Sequence, residues 1–270
     1  MQQSEQTMDH LTIITATRNR PRGIELAGRW MRNQSYSGPV RWIIVDDGED
    51  RCEAPTVKTN WIVEVIRRDV ETNEIASFTG NLETGISAVD AESNTVAIIE
   101  DDDYYRPEYL EFMLKEMHDS QVSLVGIKAL HYYNLRDKLY VPIVPMCAAM
   151  CTTCFKRTMF SPFRWSLRHA KRMQTIDVDF ILWTSAAIQL PHKYVFPSRA
   201  INIGMKCIPG RRRIGALGWK VDESQKDKYH IDRDGTILRR LIGIEEDAQI
   251  YLDLIKEIEA DVKAAASHGA

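Results

Sequence analysis

At 270 residues, with 44% hydrophobic and 27% charged side chains, the chain has the composition of a globular protein with a sizeable core. A formal net charge of -3 excludes holding nucleic acid by overall charge alone, and the polar first nine residues lack the basic start and apolar run of a secretion signal. No stretch approaches the roughly 18 uninterrupted apolar residues that span a bilayer, and an odd count of five cysteines points to reduced thiols, so the expectation is a cytoplasmic protein without stable membrane insertion.

Residues 11–16, 40–45, 61–66 and 95–99 are β-rich and mostly apolar, the pattern of parallel strands covered on both faces. Helices are predicted between them over 21–33, opened by Pro21, and over 76–91. Residues 107–118 read as a further helix and 122–129 as a strand. A hairpin is predicted over 131–141 with its turn at 134–138, then a helix over 177–187 and strand-like pieces near Tyr194 and Ile201. The closing helix, 245–266, places Ile250, Leu254, Ile258 and Val262 on one stripe flanked by Leu252 and Ile255, which suits core packing or a partner interface such as a homo-oligomer. Its acidic polar face disfavours an anionic membrane. The alternation predicts an α/β fold with a doubly wound, mostly parallel sheet, followed by an irregular α+β half and a C-terminal helix.

In such sheets ligands bind beyond the carboxyl ends of the strands, and three polar clusters fall there. Thr17, Arg18, Asn19 and Arg20 follow the first strand, Asp46, Asp47 and Gly48 the second, and Glu100, Asp101, Asp102 and Asp103 the fourth. Four consecutive acids repel one another, and an oxygen-loving cation such as Mg²⁺ or Mn²⁺, completed by phosphate oxygens, would hold them; the bland reading is a solvated acidic turn. Asp46 to Gly48 reads either as a plain turn or as a carboxylate accepting the imide N–H of uracil or thymine. A calcium loop starting at Asp101 is excluded, because its sixth position is Arg106 where glycine is required.

Cys147, Cys151 and Cys154 match the C-x3-C-x2-C spacing of iron–sulfur sites in radical enzymes, but they follow a complete nucleotide-binding half with too little chain left for that barrel. A zinc site lacks an obvious fourth ligand, so buried or acceptor-side thiols are the preferred reading. His192 and His230 read as structural rather than as metal ligands.

With the three clusters assembled, the chain resembles the family 2 glycosyltransferases of the GT-A fold. Residues 12–21 are similar to that family's opening strand and T-Y-N-R-P loop, 44–48 to its V-D-D-G, and 100–107 to its D-x-D-D-x-x-x-P, in the same order and spacing. Gly80, Asn81 and Gly85 fall at its R-N-x-G-x segment, with Gly80 in place of Arg; Ala16 replaces the usual Pro and Arg18 the usual Tyr. The resemblance covers about residues 11–118.

It implies a metal-dependent enzyme that moves a sugar, from a UDP-sugar by preference, onto an acceptor hydroxyl. Thr17 and Asp46 would contact the nucleoside, with Arg18, Arg20 and Asp47 beside the donor. Glu100 would lie near the ribose, and Asp102 would bind Mn²⁺ or Mg²⁺, with Asp103 sharing the ion and Asp101 supporting the site. Further on, residues 176–183 are similar to the family's E-D-x-D-L-W, which makes Asp177 the candidate catalytic base and Asp179 the second; capping of the helix is the structural alternative. Lys206 and Arg211, Arg212 and Arg213, set among glycines, would close over the diphosphate, grip the phosphates of a nucleic acid acceptor, or form an exposed turn. The chain thus divides into a donor half over 9–118, an acceptor and base half over 119–243, and the helix over 244–270. The acceptor is expected to be a saccharide or a hydroxymethylated DNA base. Alternatives are a sugar nucleotidyltransferase, disfavoured because residues 15–21 hold no phosphate-binding glycine, and a non-catalytic nucleotide-sugar-binding protein.

Overall fold

The computed structural model describes residues 10–69, 77–173, 178–209 and 228–268. Among them, a seven-stranded sheet is built on β1 (Leu11–Thr17), flanked by β2 (Val40–Asp46) and β4 (Thr95–Ile98), with β3 (Trp61–Arg67) beyond β2. These four strands are parallel. Their alternate side chains feed two separate cores: Leu11, Ile13, Trp42, Ile44 and Ala97 face one, while Ile14, Ala16, Val96 and Ile98 face the other. Both faces are thereby covered, which is why the strands read as continuous apolar runs rather than alternating ones.

Helices α1 (Pro21–Arg32) and α2 (Ser77–Ser87) make the crossovers, and α3 (Tyr109–Asp119) follows the acidic run. Beyond it the sheet continues through β6 (Leu124–Ile127) and β10 (His192–Val195), but β9 (Thr153–Lys156) is inserted antiparallel between β4 and β6. That strand coincides with the end of the cysteine motif, and its four residues carry too short a pattern to be read as a strand. All five cysteines are free thiols.

A second, five-stranded sheet has the order β12 (His230–Ile231), β8 (Leu139–Ile143), β7 (Leu130–Asn134), β11 (Asn202–Lys206), β5 (Asp103–Tyr105). The hairpin of β7 and β8 forms as its sequence predicts, turning at residues 135–138. Strand β5 was hidden in the acidic run: Asp103 is its first residue, and it pairs antiparallel with β11.

Two helices absent from the sequence reading are α4 (Phe160–Met173), which buries Phe163, Leu167 and Ala170, and α6 (Thr236–Ile242). Helix α5 (Val178–Gln189) packs on α4. The last helix, α7 (Glu245–His268), lies against α1: Trp30 stacks on Tyr251 at 5.7 Å and donates its indole N–H to the Tyr251 hydroxyl. Leu254 and Ile255 are buried and Val262 is exposed, so much of the expected apolar stripe serves this chain's own core. Among the described residues no helix is long and apolar enough to cross a membrane.

Candidate functional site

Parallel pairing sets Thr17, Asp46 and Arg67 in one row at the carboxyl edge of the sheet. Asp46 is nearly inaccessible and both its carboxylate oxygens are engaged within the fold. One oxygen accepts the Gly48 N–H, and the other accepts the Cys52 N–H and the Arg67 guanidinium. Gly48 is required there, because a β-carbon would lie 2.4 Å from the Asn19 nitrogen. Asp47 pairs with Arg68 at 2.9 Å through one oxygen, while its Oδ1 is buried with no hydrogen-bond partner. Arg68 also reaches Asn81, which in turn donates to the Thr17 carbonyl, so the donor loops are tied to α2. The Arg67 and Arg68 partners were missed in the sequence; the available signal was a basic pair ending the strand beside the one that ends in two acids.

The second cluster is arranged differently. Asp101 accepts the Thr17 hydroxyl at 2.5 Å and the Arg20 guanidinium at 2.6 Å, so Thr17, expected at the nucleoside, directs its hydroxyl inward. Asp102 Oδ2 faces Arg20 and Lys206, each at 3.2 Å, whereas its Oδ1 is buried without a hydrogen-bond partner. Asp103 accepts from Asn202 and has Lys206 at 3.7 Å. Lys206 reaches this point because β11 pairs with β5 and the Met205 N–H donates to the Asp102 carbonyl. Glu100, Asp103 and Cys151 bring one ligand atom each within 4.8 Å of one another. Tyr105 fixes that grouping, accepting the Glu100 N–H and donating to the Cys151 carbonyl.

Burial together with the neighbouring acids pushes the Glu100 carboxyl up to about 8. Asp103 is pushed by burial to about 6 even though Lys206 works the other way. Asp102 is also penalised by burial, yet Lys206 and Arg20 outweigh that and hold it below the ordinary carboxylate range. Burial, then Asp103, raises the Cys151 thiol well above its usual range, so it stays protonated. Two of the three converging groups are therefore hard carboxylate oxygens, the donors preferred by Mg²⁺ and Mn²⁺, and the orphaned Asp102 oxygen stands beside them.

These residues border a cleft of about 520 Å³ lined by Arg20, Glu100, Asp101, Asp102, Lys206 and Asp179 on its polar side. Asp179 is held there by α5, whose Trp183 stacks on Tyr194 at 4.5 Å and occupies the space left by Gly126, where a β-carbon would be 2.3 Å away. The rest of the lining is largely apolar and includes Phe78, Leu130, Tyr132, Ile143 and Met150. A smaller cavity lined by Thr17, Arg18, Arg20, Asn81 and Asp101 adjoins it, sharing Arg20, Phe78 and Asp101. Through Arg18 that cavity meets a third, of about 310 Å³, lined by Asp46, Asp47, Arg67 and Arg68. Asp177, Arg211, Arg212 and Arg213 lie outside the described residues. His192 and His230 are absent from all of these linings.

The description "Glycosyl transferase family 2" matches residues 12–174. No curated protein matches the sequence. Among solved structures, S. aureus TarS superposes with a TM-score of 0.51 at 12% identity, covering 73% of this chain and 37% of that one. A shorter TarS structure, residues 1–349 in complex with UDP, gives 0.49 at 15% identity and covers 73% and 60%. The chain thus spans less than two thirds of either structure, and the likeness to the first, at 12% identity, is one of fold. With its match over well more than half of the chain and its mostly parallel sheet ending in acidic loops, this protein belongs to glycosyl transferase family 2 and has the GT-A fold.

Proposed function

We propose that the chain is a metal-dependent, inverting glycosyltransferase using a UDP-sugar. The observation that carries this reading is the run of three adjoining cavities from Asp46 and Asp47, past Arg18 and Arg20, to the acidic cluster and Asp179. Its order suits a base, a diphosphate and a sugar in turn. At the base end both Asp46 oxygens already accept hydrogen bonds within the fold, whereas Asp47 Oδ1 is unpartnered and would suit the imide N–H of uracil. Arg18 and Arg20 stand where a diphosphate would pass.

Glu100, Asp102 and Asp103 would hold Mg²⁺ or Mn²⁺, which when bound supplies positive charge to the departing diphosphate. Asp179, in the first turn of α5, is the carboxylate that this helix contributes to the lining of the cleft. It would take the proton of the acceptor hydroxyl as the acceptor oxygen bonds to the anomeric carbon. The bond from that carbon to the diphosphate oxygen breaks, its electron pair leaves on that oxygen, and the configuration inverts. The apolar wall offers a flat surface to the acceptor, either a saccharide ring or a hydroxymethylated base turned out of DNA.

Thermal melting with a panel of nucleotide sugars tests the donor: a UDP-sugar with Mn²⁺ should raise the midpoint, and a panel without any such shift rejects the reading. Asp179→Asn should lower turnover by about a hundredfold or more with UDP binding retained, as loss of a general base does. If Asp177→Asn does this and Asp179→Asn does not, the base is Asp177. Salt-sensitive binding of duplex DNA selects the DNA acceptor, and its absence at low salt selects the saccharide.

A further inference from the structure

Lys206 occupies an unusual place for a lysine. Its ammonium lies 3.2 Å from Asp102 and 3.7 Å from Asp103, sits 5.6 Å from the centre of the Tyr132 ring, and is only 15% exposed. It therefore neutralises the same two carboxylates that a divalent ion would use. Backbone pairing of β11 with β7, in which Lys206 faces Asn134, fixes the base of the side chain, while a four-carbon stem with several rotatable bonds carries the ammonium into the cleft that it lines.

We propose that Lys206 is a tethered counter-cation, which holds Asp102 and Asp103 in the donor-free protein and hands its ammonium to the donor's diphosphate when metal and donor bind together. The inference rests on the metal-dependent reading above and deepens it. An ammonium and a divalent ion on the same pair of carboxylates repel one another, so each weakens the other's hold. The incoming diphosphate resolves that conflict by giving the ammonium a new anionic partner. Lys206 then donates a hydrogen bond to the oxygen that receives the electron pair of the broken bond, and no proton need change hands. Arg20 is held more closely, with a 2.6 Å hydrogen bond to Asp101, where the nearer carboxylate to Lys206 is 3.2 Å away.

The test compares the full-length protein with Lys206→Met and Lys206→Arg by titrating Mn²⁺, read from the paramagnetic resonance of the free ion, with and without UDP. Without UDP, Lys206→Met should bind Mn²⁺ about tenfold tighter than the parent, because the competing charge has gone. With Mn²⁺ saturating, it should bind UDP about tenfold more weakly and turn over more slowly, and Lys206→Arg should return both toward the parent. A lysine that serves only the fold would weaken both ligands together, so Mn²⁺ affinity unchanged or lowered in Lys206→Met overturns the proposal. Undiminished UDP affinity does so too. Should the methionine variant fail to fold, Lys206→Gln in the same titration carries the same two outcomes. Absence of Mn²⁺ binding in the parent itself overturns the metal-dependent reading instead, and the Lys206 role with it.

Discussion

Two acidic clusters end two strands of the same sheet edge, yet they are neutralised in opposite ways. At β2 two acids face two arginines one to one, Asp46 with Arg67 and Asp47 with Arg68, and two backbone amides also donate to Asp46. Beyond β4, among the described residues, four acids share two cations, Arg20 and Lys206. The formal shortfall is two charges, the charge of one divalent ion. Protons partly fill the gap, which is what the raised Glu100 and Asp103 carboxyls express. The contrast teaches that acidity alone does not mark a cation site; an acidic group whose countercharge is missing does.

The strongest way to break this comparison is Asp102→Asn. It should lower transfer activity by about a hundredfold to a thousandfold, the scale of losing a key electrostatic group, and abolish the Mn²⁺-dependent rise in melting temperature. Retained Mn²⁺ stabilisation would remove the ion from this cluster. Asp46→Ala should act on the fold instead. It leaves the Gly48 and Cys52 amides without their acceptor, at a cost of about 2 kcal/mol, which urea unfolding would register. If Asp46→Ala leaves stability intact while activity collapses, the two clusters do not differ as described.

A pH profile sharpens the charge argument. In the fold the Glu100 carboxyl stands at about 8 against an ordinary 4.5, so the native state keeps a proton that the unfolded chain releases. Raising the pH through that window therefore lowers metal-free stability, and the loss is complete above the folded value. Glu100→Gln removes the penalty. Its melting temperature with chelator present should match the parent near pH 5 and exceed it increasingly toward pH 9. A gap that is flat with pH would mean that Glu100 carries no uncompensated charge.

Much of the first half was legible because parallel strands covered on both faces must be apolar throughout, and because ligand loops follow their carboxyl ends. The runs at 11–16, 40–45 and 95–99, with Asp46 and the acids from Glu100 after them, carried both signals in local sequence. Strands β5 and β9 carried neither, being three and four residues long and stabilised by partners remote in the chain. What sequence alone determined is the set of charged groups at the sheet edge and the order in which they appear. Which of them are already neutralised was decided only by tertiary structure, since Arg67, Arg68 and Lys206 meet their acids across strand pairings that no local pattern records, and Coulomb energy depends on distance in space rather than along the chain.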